Sequence, residues 1–178
     1  MSDPERAGGM SWWSGKVRQF DGHLRVRVTP EERRALAAWA PGWALGIFDA
    51  MHPADQRHGL DVVVTLRADG ADPGNEPGQE LLLAGLLHDA GKGQTGVWPR
   101  VAYSLGQAYG APMRRLARLV PLGSWRADLD RLETHAETSA RLAERAGASP
   151  RTVELIRNQN APLDPVDGER LRLADEAS

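Results

Sequence analysis

Apolar residues recur along the chain at helical spacing, and this pattern predicts a protein built from helices. In the first such stretch, Ser11–Val28, apolar side chains four, three and four positions apart would share one helix face, namely Trp13, Val17, Phe20 and Leu24. Arg25–Val28 alternates like a strand, but it is short and stands alone. The sequence contains no convincing pair of strands and no repeat, so the fold class that we expect is all-α.

Capping signals and breakers divide the rest of the chain into helices. Thr29 followed by Pro30 and then Glu32 is typical of a helix start, and that helix should run to about Ala40. The segment 68–78 is rich in Gly, Pro, Asp and Asn, which predicts an exposed loop. The other expected helices are Gly42–Met51, Pro53–Leu66, Gln79–Ala90, Trp98–Tyr109, Ala111–Val120, Arg126–Ala146 (as one helix or two), Ser149–Asn160 and Val166–Ala177.

The length and the composition indicate one soluble globular domain. With 178 residues, 41% of them hydrophobic and 26% charged, the chain can bury a core of useful size. We expect residues 1–28 to form an N-terminal tail with a helical arm, and residues 29–178 to form the main helical domain.

The net charge and the hydropathy of the chain limit which partners it is expected to bind and where in the cell it is expected to lie. A net charge of −2 gives no bulk attraction to nucleic acid or to anionic membranes, so no nucleic acid is expected as a partner. No apolar run approaches the roughly 18 residues of a membrane span, and the N-terminus lacks a signal-peptide core, so we expect a cytoplasmic protein without a membrane partner. The chain has no cysteine, which excludes disulfides, thiolate metal sites and cysteine nucleophiles.

The most informative stretch is Glu80–Gly93, where an apolar helical run ends in His88–Asp89 and a glycine-rich turn with Lys92 follows. An imidazole and a carboxylate near a buried helix end each need a partner once water is removed. A metal ion would satisfy both groups. The alternative is that His88 and Asp89 form a hydrogen-bonded pair at the helix end.

Two further residues could complete a metal site. His58 lies in an expected helix among residues that should face the core, and Asp175 lies beside leucines in the final helix. Two imidazoles and two carboxylates suit Mn, Fe, Co, Ni or Zn. Mg is also possible, although it prefers a ligand set with less nitrogen. The alternative for His58 is an ordinary core or surface histidine.

The order His58, then His88–Asp89, then Asp175 resembles the H…HD…D signature of the HD superfamily of metal-dependent phosphohydrolases, across about residues 50–178. His88–Lys92 is similar to the HDxGK version of that motif. The resemblance implies an HD-domain-like helical bundle in which these four residues hold one divalent ion. It also implies hydrolysis of a phosphate ester, often a nucleotide, by attack of a metal-bound water.

His135 bears on how many ions are bound. In two-metal members of the superfamily a histidine at this place binds a second ion, and another histidine follows near the end of the next helix. This chain has amides there, Asn158–Asn160, and amide oxygens are poorer ligands for transition metals. We therefore expect no second metal and assign His135 to the phosphate or the leaving group. The alternative is an ordinary histidine at a helix start.

Lys92 and Arg57 are the candidate cations for a bound phosphate. Lys92 could support the charge of a phosphate or of the ligand shell, or it could be a helix C-terminal cation in solvent. Some HD nucleotidases carry a glutamate at the position of Lys92 for proton transfer, and this chain lacks it. Arg57 could instead form a surface salt bridge. The expected catalytic residues are thus Asp89, Lys92 and His135, and the expected substrate contacts are Arg57, Lys92 and His135.

The six tryptophans are scattered at helical spacing among apolar residues, which favours core or interface packing over base stacking. The Trp-rich N-terminal stretch could pack against a second copy and form a homodimer. The function that we expect is a metal-dependent phosphohydrolase acting on a nucleotide or a related small phosphate ester. The alternatives are a non-catalytic HD-type module that binds a metal and senses a nucleotide, and a structural helical protein without a metal.

Overall fold

The computed structural model describes residues 27–95 and 124–178, together with Pro99, Tyr103 and Gly110. Within these ranges no residue is in a strand, which confirms the all-α class for the described part. The chain there forms a short 3-10 turn, Ala90–Lys92, and the following α-helices: α1 (Pro30–Ala37), α2 (Gly42–Ala50), α3 (Pro53–Ala68), α4 (Glu76–Leu87), α5 (Trp125–Glu133), α6 (His135–Ala146), α7 (Pro150–Arg157) and α8 (Asp167–Ala177).

The capping signal at Thr29 is confirmed. The Thr29 hydroxyl accepts a hydrogen bond from the Glu32 backbone N–H at 3.2 Å, and the Glu32 carboxylate accepts one from the Thr29 N–H at 2.8 Å. This reciprocal pair satisfies N–H groups that have no partner inside the helix. Helix α1 ends at Ala37, slightly before the predicted end.

One helix start differs from the sequence prediction, and one alternative that the sequence left open is decided. Helix α4 begins at Glu76 rather than at Gln79, because the Asn75 side chain accepts a hydrogen bond from the Gly78 N–H at 2.8 Å and caps the helix inside the predicted loop. The stretch Arg126–Ala146, expected as one helix or two, forms two helices that are separated at Thr134.

Some predictions fall where the structure gives no description. The expected N-terminal helix lies outside the described residues except for Arg27 and Val28, which are not helical. The expected helices Trp98–Tyr109 and Ala111–Val120 also lie outside, apart from Pro99 and Tyr103. These helices and the proposed division at residue 28 stay predictions.

Helix α4 is the centre of the described core. Every residue from Leu81 to Leu87 is buried, so this helix is apolar on all sides, as expected of a helix that is surrounded by others. Helices α2, α3, α7 and α8 pack against it. The half-buried tryptophans Trp39 and Trp43 pack against the same core, in agreement with the prediction of core packing for these two.

A glycine lets helix α3 approach α4 closely beside the candidate metal site. A Cβ atom on Gly59 would lie 2.6 Å from the backbone oxygen of Leu86, closer than two such atoms can come. The residue next to Gly59 is His58, and the residue two beyond Leu86 is His88. The close crossing therefore brings the two imidazoles together, with ring centroids 5.2 Å apart.

Ion pairs attach helix α1 to its neighbours. The Arg57 guanidinium binds Glu32 on α1 at 2.6 Å and Asp61 on its own helix at 2.6 Å. Arg33 on α1 forms a two-pronged pair with Asp49 on α2 at 2.9 and 2.7 Å. Leu36 is the buried residue of α1, and these charged contacts add to its packing against the core.

The hydropathy prediction is consistent with the helices that the structure describes. In the ranges 27–95 and 124–178, each helix is too short or too polar to cross a lipid bilayer.

Gly59→Ala tests the helix crossing. We expect the added methyl group to destabilise the protein by about 1–3 kcal/mol, because the opposing atom is backbone and cannot rotate away. The measurement is the free energy of unfolding from urea denaturation. Gly46→Ala in α2 is the matched control, since a Cβ there meets nothing within 4 Å. An exposed helical alanine should raise stability by about 0.5–1 kcal/mol relative to glycine. Equal effects of the two substitutions would contradict the close-contact explanation.

Candidate metal centre

Three side chains from three helices direct ligand atoms at one point. His58 lies on α3, His88 directly follows α4, and Asp175 lies on α8. Asp175 Oδ1 is 2.7 Å from His58 Nε2 and 3.2 Å from His88 Nε2. The three ligand atoms all lie within 4.8 Å of one another, so this group could hold a metal ion.

The hydrogen bonds of His88 orient its ring toward the carboxylates. Nδ1 donates to the Gly85 carbonyl oxygen at 2.9 Å, one turn back along α4. Since a carbonyl can only accept, Nδ1 carries a proton and Nε2 is the atom that faces Asp175 and Asp89. Burial alone would lower the pKa of His88, but the charges of Asp89 and Asp175 outweigh it and raise the pKa to about 9. The position thus attracts positive charge, either a proton or a metal cation.

Asp89 is a buried carboxylate in contact with the cluster. Its side chain is 2% exposed, with Oδ1 3.6 Å from His88 Nε2 and Oδ2 4.0 Å from His58 Nε2. Burial would raise the pKa of Asp89, but the neighbouring charges of His88 and Lys92 hold that pKa well below its usual range. The same holds for the pKa of Asp175. Burial would raise that pKa, but hydrogen bonds from His58 and His88 hold it well below its usual range. Both carboxylates are therefore ionised at neutral pH.

Lys92 is the cation closest to Asp89. Its ammonium group donates a short hydrogen bond to Asp89 Oδ2. Burial would lower the pKa of Lys92, but the carboxylates of Asp89 and Asp55 outweigh it and raise that pKa, so the side chain stays charged. The sequence left two hypotheses for Lys92. A helix-end cation in solvent does not describe it, because its side chain is 21% exposed and pairs with a buried carboxylate.

Asp55 is a buried carboxylate whose charge acts on Lys92 and which the sequence analysis did not single out. It is 4% exposed and lies one turn before His58 on α3. An acidic residue in the first turn of a helix is ordinarily explained by the helix dipole, so its type and position gave no reason to suspect a second role. The signal that could have found it is the spacing of three residues to His58, which puts both on one helix face.

His135 lies at the first position of α6 with its ring against Asp89. Nδ1 donates to the Leu132 carbonyl oxygen at 2.6 Å, and Nε2 is 3.4 Å from Asp89 Oδ1. Burial lowers the pKa of His135, so the neutral form prevails and Nε2 carries a lone pair. The ring of Tyr103 approaches edge-on, with centroids 6.2 Å apart. His135 thus presents an unprotonated nitrogen to the site, which an ordinary helix-start histidine has no need to do.

The glycine of the His88–Lys92 motif positions α6. A Cβ atom on Gly91 would lie 2.3 Å from the His135 backbone oxygen. The Gly91 N–H donates to the Ser139 hydroxyl at 2.8 Å, one turn further along α6. The 3-10 turn therefore lies directly on the start of α6, and this contact brings His135 next to Asp89.

The donor set fits a divalent cation. Bonds of about 2.0–2.2 Å from an ion to nitrogen or oxygen would put neighbouring ligand atoms about 3 Å apart, close to the separations of Asp175 from the two imidazoles. Histidine nitrogens with carboxylate oxygens suit Mn, Fe, Co, Ni and Zn. His88 also has the supporting hydrogen bond from its other ring nitrogen that metal-binding histidines usually have.

Most of the residues singled out from the sequence come together here. The convergent group comprises His58, His88, Asp89, Lys92, His135 and Asp175. Arg57 is engaged elsewhere: its side chain is 9% exposed and pairs with Glu32 and Asp61, so the salt bridges expected of it are formed, although they are not at the surface. The role of each residue toward a metal or a phosphate stays a prediction.

Comparison with models of known protein families, with curated proteins and with solved structures gives no match in any of the three.

Metal binding can be tested without any assumption about catalysis. We expect Co²⁺ or Mn²⁺ to raise the unfolding free energy by about 2.7 kcal/mol at an ion concentration one hundred times the dissociation constant. Asp175→Asn and His58→Ala should remove most of this gain, because each deletes a converging ligand atom. The readout is thermal unfolding with and without the ion, together with calorimetric titration.

The matched control is His52→Asn. His52 caps α3 by accepting a hydrogen bond from the Ala54 N–H at 3.2 Å, and asparagine can serve as the same cap. The control should keep the full ion-dependent gain. Loss of the gain in His52→Asn, or its survival in both cluster variants, would show that the ion binds elsewhere.

Proposed function

We propose that this protein is a metal-dependent phosphohydrolase of the HD type, which acts on a nucleotide or a related phosphate ester. The observation that carries the proposal is the convergence of His58, His88 and Asp175 within 4.8 Å, next to the buried carboxylate of Asp89. The resemblance of these four residues to the H…HD…D signature supplies the reaction class.

We propose that one divalent ion, Mn, Fe, Co, Ni, Zn or Mg, is held by His58, His88, Asp89 and Asp175. The geometry around Asp89 supports its inclusion, since its two oxygens lie 3.6 and 4.0 Å from the nitrogens of His88 and His58. A single ion is supported by Gln159, an amide near the place where two-metal members of the superfamily have a second histidine.

The exposure of the cluster supports access by a small substrate. The His88 and Asp89 side chains are each 2% exposed, whereas His58 is 23% and Asp175 38% exposed. The two buried members follow α4, and the two more exposed members lie on α3 and α8. A phosphate could approach the more exposed members while the buried members stay fixed.

A bound ion would remove the negative charge of the site. With neutral imidazoles, a divalent ion and the Lys92 ammonium would balance the carboxylates of Asp89, Asp175 and Asp55. The ion itself would then attract a phosphate at short range. When bound, the ion supplies Lewis-acid polarisation of the phosphoryl group and a more acidic water.

Two residues of the chain have defined tasks in this proposal. The unprotonated Nε2 of His135 accepts a proton at the site, consistent with the lowered pKa of this residue. The Lys92 ammonium stabilises negative charge that develops on the phosphoryl oxygens. Hydrolysis adds water across the ester bond, and the displaced oxygen leaves with a proton.

A non-catalytic module that binds a metal and a nucleotide is the second candidate. Its support is the pairing of Asp89 with Lys92, a cation that holds its proton where some HD nucleotidases have a carboxylate. In that case the protein would bind a nucleotide in the presence of metal and return it intact.

A phosphoester screen tests the proposal. Protein loaded with Mn²⁺ or Co²⁺ should cleave bis(p-nitrophenyl) phosphate or members of a nucleotide panel, as followed by release of nitrophenolate or by chromatography. Asp89→Asn should lower the rate by at least about 100-fold, since it removes a charged group from the centre of the site. His52→Asn should keep the full rate. Equal rates in wild type and Asp89→Asn would identify a contaminating phosphatase, and intact recovery of bound nucleotide would favour the binding module.

His135→Ala separates catalysis from metal binding. We expect a decrease in kcat of about 100-fold or more with an unchanged metal content, because in the proposal His135 accepts a proton and does not bind the ion. Turnover rates and elemental analysis of the same samples provide the comparison. A parallel loss of metal would instead identify His135 as a ligand.

A further inference from the structure

Gln159 is a buried amide that the proposed reaction does not use. It lies in the turn after α7 and is 5% exposed. Its Nε2 donates a hydrogen bond to the backbone oxygen of His88 at 3.1 Å, across 71 positions of the sequence. A side chain from a distant turn thus contacts the backbone of a candidate metal ligand.

The His88 carbonyl needs such a partner. Helix α4 ends at Leu87, and the last carbonyls of a helix have no N–H one turn ahead to bind. His88 is 1% exposed, so bulk water does not reach it readily. A buried carbonyl without a donor is unfavourable, and Gln159 supplies the donor.

The same hydrogen bond constrains the imidazole. The His88 ring is held within its own helix by the Gly85 carbonyl, which fixes the ring relative to α4. The end of α4 must still be fixed relative to the helix that carries Asp175. Gln159 lies on the connection from α7 to α8, and Arg151 of α7 anchors the start of α8 by binding Asp167 at 2.6 Å.

We propose that Gln159 is a positioning residue of the metal centre: its hydrogen bond to the His88 carbonyl sets the imidazole relative to Asp175 and thereby sets metal affinity. This inference rests on the metal site of the proposed function but requires no catalysis. It assigns Gln159 a role through His88, with no contact to the ion.

The neighbours of Gln159 provide a matched control. The Asn158 side chain donates to the Glu154 carbonyl at 3.1 Å, inside its own helix. Asn160 is exposed. A substitution at Asn160 therefore changes an amide in the same turn without touching the His88 backbone.

The experiment compares Gln159→Met, Gln159→Asn and Asn160→Ala, each titrated with Co²⁺. Gln159→Met keeps a side chain of similar length without the donor, and Gln159→Asn keeps an amide that is one methylene too short. We expect both to bind Co²⁺ about 10-fold to 100-fold more weakly, as is usual when the outer partners of metal ligands are removed. The visible absorption bands of bound Co²⁺ should shift in both, because the imidazole is reoriented. Asn160→Ala should match the wild type in affinity and spectrum.

The possible results lead to different conclusions. Unchanged Co²⁺ affinity and spectrum in the Gln159 variants, with lower unfolding free energy alone, would overturn the proposal and leave Gln159 a stability residue. If Gln159→Met fails to fold, Gln159→Asn decides by the same readouts. Absence of Co²⁺ binding by the wild type would reject the metal centre itself, and this inference with it. Metal binding tuned by Gln159 without any hydrolysis would support the inference while the phosphohydrolase proposal fails.

Discussion

The buried negative charge of Asp89 is the constraint on which the arrangement of the site depends. An isolated carboxylate in a protein interior is strongly unfavourable unless positive charge and hydrogen bonds surround it. Lys92 donates a hydrogen bond to one of its oxygens, and the imidazole of His88 lies near the other. The neutral ring of His135 lies near that second oxygen as well but adds no charge. The requirement to satisfy one carboxylate therefore holds the 3-10 turn against the end of α4.

Backbone contacts at two glycines let the elements come close enough. At Gly59 helix α3 approaches the backbone of Leu86, and at Gly91 the 3-10 turn approaches the backbone of His135. Both positions lie within a few residues of a candidate ligand. The polar cluster is thus held between two close contacts that leave no room for a side chain, which limits how far the imidazoles can move. An interior that is packed in this way suits a site whose ligand atoms must stay within a few tenths of an ångström of one geometry.

Local signals in the sequence were enough for most of the described helix boundaries, whereas the residues of the cluster were singled out by their resemblance to the H…HD…D signature. The capping box at Thr29 and the prolines at helix starts involve only a few neighbouring residues, so the sequence alone indicates them. The start of α4 could not be predicted in this way, because its cap, Asn75, lies in a Gly- and Pro-rich segment that also fits a loop. The assignments of Lys92 and Arg57 needed tertiary contacts, since the sequence leaves open which carboxylate each one meets. The burial of Asp55 likewise follows from the packing of α3, since its spacing of three residues from His58 indicates a shared helix face but not that this face is buried.

The spacing of the three converging residues along the chain has a consequence for folding. His58 and Asp175 are 117 positions apart, and His88 and Asp175 are 87 apart. Loops of this size are slow to close, and their closure entropy is recovered only when distant helices dock. The convergence of these three residues therefore cannot exist in a partly folded chain that lacks α8. An ion that needs all three ligands would bind only after α8 has docked. A chain that stops folding before that step would not bind the ion.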